Sequence, residues 1–229
     1  MTTHIPPITE DDIAQFLSNT PGFFERHAEV LASVQITSPH GARAVSLQER
    51  QAEMLREKIK GLEHRIMEMV RNSTENAAIA HKVHQWTGSL LQVRDPFDLP
   101  QAVVDGVRTL FDVPQAAVRV WAVAAPYIDA DFTQGASEDA RAFASSLTMP
   151  FCGPNLGFEP AGWLAQEAGE PAQSLALLPL REGAIDSATP AFGLLVLGSP
   201  DPQRFDATMG TEFLSRIAEL ASAALVRLK

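Results

Sequence analysis

The chain has 229 residues, 45% of them apolar, and a formal net charge of −10. That is enough to build a buried core, as one large domain or one ordinary domain with an extension. No apolar run approaches the roughly 18 residues that span a bilayer, so no membrane partner is expected. From Val93 onward nine basic residues face seventeen acidic ones, the reverse of the basic patch that displaces counterions from nucleic acid, so no nucleic-acid partner is expected either.

The opening MTTHIPPITEDDI has neither a basic nor an apolar leader segment, and the single cysteine, Cys152, cannot form an intramolecular disulfide. Both features point to the cytoplasm. Thr9 and Asp12 have the spacing of a capping box ahead of a helix bearing Ile13, Phe16 and Leu17. Asn19-Thr20-Pro21 stops that helix and starts another, with Phe23, Phe24, His27, Val30 and Leu31 on its apolar face. Two such helices build no core alone, and 1–45 is expected to be an arm that docks, anchored by Phe23 and Phe24. Pro39-His40-Gly41 marks a loop.

Ser46 and Glu49 form a second capping-box pattern, opening a helix with no proline until Asp95-Pro96. Leu55, Ile59, Leu62, Ile66 and Met69 alternate spacings of four and three, the seam of a coiled coil. The seam continues less purely through Ser73, Asn76, Ala80, Val83 and Leu90. A helix over 46–92 would be about 70 Å long, too long for a small domain to cover, and a homodimer is expected through those five residues. The alternative is two helices broken near Ser73-Thr74 and folded on their own chain.

After Pro96 the pattern becomes mixed. Leu99, Val103, Val107 and Leu110 share a helical face, and AAVRVWAVA alternates as a strand with Arg119 and Trp121 on one side. Ser137 caps a further helix, and MPFCGPNLGFEPAGWLAQEAGEPAQ is rich in glycine and proline with little period. Strands are predicted near Ser174–Leu180 and Ala191–Gly198. A last helix carries Met209, Phe213, Ile217, Leu220, Ala224 and Leu228 on one face. The expected class is α+β, an antiparallel sheet flanked by helices, with boundaries at 1–45, 46–92 and 93–229.

The phrases S-x-x-x-x-P-L at Ser174–Leu180 and G-x-L-x-L at Gly193–Leu197, before RF and an amphipathic final helix, resemble the GAF domain. The front half resembles a bacterial family known as domain-of-unknown-function family 484. The residues that carry the likeness are Asn19, Pro21, Phe23, Phe24, Pro39, His40, Ala44 to Leu47 and Glu49 to Gln51, with Thr20 inserted in the family phrase. The resemblance implies a coiled helix ahead of a GAF-like sheet with helices on one face and a ligand pocket on the other. By analogy it implies a sensory module.

The inventory for catalysis is thin. From Gln85 to Lys229 there is no histidine, and the only lysine is Lys229. A nucleophile–histidine pair therefore cannot be assembled there, and acid–base chemistry would fall to carboxylates such as Asp129, Asp131 or Glu159. Cys152 reads as a half-buried structural thiol, with no basic neighbour to activate it. His81 and His84, three apart on a helix, lack further ligands for a metal. No cofactor is expected. Ligand-binding residues are sought on the strand face of Arg119 and Trp121, roofed by Asn155, Trp163 and Arg181. Plain packing by Trp121 and a solvent-reaching Arg119 is the alternative. Three functions remain open: a non-enzymatic sensor of a small molecule, a scaffold that presents surfaces to a protein partner, or an enzyme that uses those carboxylates.

Overall fold

The structure, a computed structural model, describes residues 8–33, 35–37, 44–164, 170–207 and 211–229. The chain divides into two compact units, Met1–Thr74 and Glu75–Lys229. In the first, helix α1 (Glu10–Asn19) starts at the predicted capping box. The Asp12 amide donates to the Thr9 hydroxyl at 3.2 Å, and the Thr9 amide donates to the Asp12 carboxylate at 2.9 Å. The predicted second helix is two short ones, α2 (Phe23–Arg26) and α3 (Ala28–Ser33), because His27 leaves helical geometry at φ −129°. The Phe23 ring meets those of Phe16, Phe24 and His27, with centroids 4.8 to 5.8 Å apart. No residue of α1 or α2 is buried. Strands β1 (Gln35–Thr37) and β2 (Ala44–Ser46) pair antiparallel, a ribbon with no signal in the sequence pattern. His40 and the loop around it lie outside the described residues.

Helix α4 (Leu47–Gln92) is continuous through Ser73-Thr74, so the broken-helix alternative is not what forms. The five seam residues are all exposed on the single chain, from 49% at Leu62 to 70% at Met69. Trp86 and Leu90, by contrast, belong to the core of the second unit, and Val83 is buried as well. The later seam positions Val83 and Leu90 thus already have partners within their own chain.

That second unit is built on a four-stranded antiparallel sheet in the order β3-β6-β5-β4, from β3 (Gln115–Val120), β4 (Phe151–Pro154), β5 (Ser174–Leu180) and β6 (Gly193–Ser199). Every residue of β5 and β6 is buried, which explains their near-continuous apolar sequences: central strands covered on both faces lose the alternation of half-exposed ones. On one face Val118, Val120, Leu178, Leu180, Leu195 and Leu197 meet α5 (Leu99–Leu110), α7 (Glu212–Leu225) and the end of α4. On the other, Ala117, Trp121, Leu175, Leu177, Leu194 and Val196 meet α6 (Glu138–Ser146), Trp163 and Leu164. The α+β architecture read from the sequence, a sheet flanked by helices behind a long helix, is the one observed.

Three local differences have physical reasons. The first strand ends at Val120, since Ala122 adopts φ 58° and turns the chain. Strand β4 hides in a Gly- and Pro-rich stretch because an edge strand of four residues is too short to show a period. The buried face of α7 is centred on Leu214, Ile217, Ala218, Ala221 and Leu225, with Phe213, Leu220 and Ala224 at its margin, and Met209 lies outside the described residues.

Candidate functional site

Strand β3 is an edge strand. Around it lie α5 and the 3-10 turns Pro96–Asp98, Asp131–Thr133 and Glu159–Trp163. Between them lies a half-open recess of about 390 Å³, walled by β3 from Gln115 to Arg119 and by Phe97, Gln101, Asp131, Phe132 and Trp163.

Arg119 and Arg108 share this recess with Asp98 and Asp131. The Nη1 of Arg119 donates to its neighbour's carbonyl, Val118 O, at 3.0 Å, and its guanidinium lies over the Trp163 ring at 6.0 Å. Its Nε is buried without a hydrogen-bond partner. Among the described residues it makes no salt bridge. Burial lowers its pKa from the ordinary arginine value, and the Asp131 carboxylate acts in the opposite sense. A guanidinium stays charged under such a shift, so the recess holds a cation with unused donor capacity. Arg108 also lines it, engaged in an interaction of its own.

Trp163 is fixed by its indole N–H, which donates to Gly135 O at 2.9 Å. The turn that carries it is tied down by Glu159, whose carboxylate accepts from the Ser137 amide at 3.0 Å and from the Ser137 hydroxyl. These bonds lower the Glu159 pKa.

The other residues sought for binding lie elsewhere. Trp121 is buried, with its indole N–H on Ala191 O at 2.7 Å and the Arg141 guanidinium over its ring at 5.9 Å. It fills the sheet face rather than lining a cavity. Asn155 closes a loop, its amide nitrogen on Ala172 O at 2.9 Å and its oxygen accepting from the Gly157 amide at 3.0 Å. Arg181 is buried with its guanidinium on backbone carbonyls of Ala144, Ser145, Leu147, Ser187 and Thr189. Of the five residues, Arg119 and Trp163 meet at one recess. Phe97, Phe132 and Gln101 join them there, and no spacing in the sequence marks them.

The sequence matches, over residues 3–229, the family described as "Protein of unknown function, DUF484". The chain belongs to this family. No curated protein matches it at a significant level. Among solved structures, the GAF domain of the Escherichia coli potassium sensor histidine kinase KdpD is similar to it at 17% identity and a TM-score of 0.40. That match covers 65% of this chain and 94% of that one. The GAF domain from Acinetobacter phosphoenolpyruvate-protein phosphotransferase is similar at 11% identity and a TM-score of 0.43, covering 65% and 92%. The A. aeolicus nlh2 GAF domain in an inactive state is similar at 10% identity and 0.44, covering 67% and 99%.

Elsewhere in the DUF484 chain the reactive side chains are placed as follows. Cys152 is buried in the core, and burial pushes its thiol up to about 11, which leaves almost no thiolate at neutral pH. His81 and His84 are exposed on α4, and among the described residues no three His, Cys, Asp or Glu side chains converge to hold a metal. Among the described residues no helix is long and apolar enough to cross a membrane.

Proposed function

We propose that this DUF484 chain is a non-enzymatic regulatory module that pairs with a second copy through α4 and holds an anionic ligand at Arg119 and Trp163. The observation that carries the reading is the double use of α4. One stretch of the helix bears Leu55, Ile59, Leu62, Ile66 and Met69 exposed; a later stretch is built into the sheet unit through Trp86 and Leu90. The recess connects to that later stretch through α5, which lines it with Gln101 and Val104 and packs its Gly106 against Trp86. A ligand that favours one packing of α5 on α4 would bias the helix, by as much as its affinities for the two arrangements differ.

Cross-linking tests the pairing. Leu62→Cys should form a disulfide between copies on mild oxidation, because a seam position of one helix faces its equivalent in a parallel pair. His64→Cys, on the outward side, should not. The native Cys152 is buried and stays silent. Equal cross-linking at both positions, or at neither, would defeat the pairing.

A second reading, a scaffold without a small ligand, has its own support. The sheet face under Trp121 is filled by Leu175, Leu177, Leu194 and Val196. On that reading the recess is a surface for another protein.

A further inference from the structure

We propose that the outer edge of β3 at Ala116–Val118 accepts an extended peptide as an added strand, with a carboxylate of the peptide seated on Arg119. The inference rests on the reading of the recess as an anion site and names its occupant.

The register gives the geometry. Trp121 donates to Phe192 O at 2.7 Å at the end of the β3–β6 ladder. Antiparallel pairing alternates, so Ala117 and Arg119 turn their backbone groups toward β6, and Ala116 and Val118 turn theirs outward. Among the described residues no backbone group bonds Ala116 or Val118 from that side. The Val118 carbonyl is capped instead by the Arg119 side chain. An open edge is a template for another strand, and proteins usually protect it. Here the protection is that hydrogen bond together with the surrounding cover, which leaves Val118 3% exposed, and an entering strand has to displace the Arg119 side chain.

The recess is lined by consecutive extended residues of β3 from Gln115 to Arg119, alongside which an extended segment can lie. Phe97 and Phe132, packed edge to face at 5.6 Å, offer an apolar wall to alternate side chains of such a segment. Charge places the carboxylate at one point only: Arg119 has a buried, unpartnered Nε and no salt bridge among the described residues, while Asp98 and Asp131 line the same recess and disfavour acid elsewhere along the peptide. Strand addition draws affinity from main-chain bonds and specificity from such side-chain sites.

The test is an NMR titration of the full chain, following the Ala116 and Val118 amides and the Arg119 Nε–H. Four probes are compared: an N-acetylated, C-amidated tetrapeptide of two valines, one glutamate and one threonine; its form N-methylated on alternate amides; its form with glutamine for glutamate; and sodium acetate. The acidic peptide should shift all three signals. The N-methylated and glutamine forms should bind about tenfold or more weakly, the cost of a lost hydrogen bond to a charged or strand-edge group. Arg119→Gln, checked by an unchanged spectrum away from the recess, should erase the preference for glutamate. If the N-methylated peptide binds as well as its parent, or only acetate moves the Arg119 signal, strand addition is overturned while the anion site stands. If no probe moves any of the three signals, both fall.

Discussion

Arg181 and Arg119 are both arginines on the second sheet face, and their surroundings give them opposite tasks. Arg181 is 3% exposed and directs Nη1 and Nη2 to five carbonyls, three of them in and just past the last turn of α6, although its Nε, like that of Arg119, is buried without a partner. There a cation satisfies orphan carbonyls and opposes the helix dipole. It is a structural cap. Arg119 keeps a donor unused at the wall of a recess. Sequence reasoning grouped the two because a strand pattern reports which face a residue takes and not how many carbonyls a loop brings to it. The same limit applied to Trp121, whose place on the face was legible and whose filling role was not.

Glu159 yields a prediction at this scale. Its carboxylate caps α6 by way of Ser137, and those bonds lower its pKa below the ordinary 4.5. A depressed carboxylate contributes stability above its unfolded pKa and loses it as pH falls through the folded value. Glu159→Gln should therefore lower the melting temperature at neutral pH, and the gap to the unmutated protein should close as pH drops below 4.5. A gap that stays constant with pH would show that the latch on the Trp163 turn is not electrostatic.

Among the elements, the contact of α5 with α4 is the tightest constraint on the proposed coupling. A Cβ on Gly106 would lie 2.3 Å from Trp86 Cδ1 and Nε1, and Trp86 is fully buried. Gly106→Ala must push the indole or the helix aside, which should cost about 1–3 kcal/mol. Combining it with Trp86→Phe, which shortens the ring, should recover part of that loss in a double-mutant cycle of denaturant melts. A neutral Gly106→Ala would mean the two helices pack loosely, and the coupling path would lose its basis. This approach was not legible beforehand, since a glycine within a helical pattern carries no sign of what it faces. The strands were legible for the opposite reason. Ser174–Leu180 and Gly193–Ser199 are unbroken apolar runs between turn residues, and both are central in the sheet. The edge strand β4 offered four residues and no such run.

For the whole molecule, the pattern of exposure decides what remains to be covered. Leu55, Ile59, Leu62, Ile66 and Met69 repeat at coiled-coil spacing and all stand exposed on a single chain, whereas Val83 and Leu90, read from the same periodicity, are already buried on it, Leu90 in the core of the sheet unit. A stripe of that kind in water is stabilised by a matching stripe, and a second copy supplies one in register. The measurement that bears most directly on this is the mass in solution by light scattering at micromolar concentration. The unmutated chain should give twice 24.8 kDa. Leu62→Asp with Ile66→Asp, which sets charges into the seam, should give 24.8 kDa with an unchanged near-ultraviolet signal from the sheet unit's tryptophans. A mass of 24.8 kDa for the unmutated chain would contradict the account.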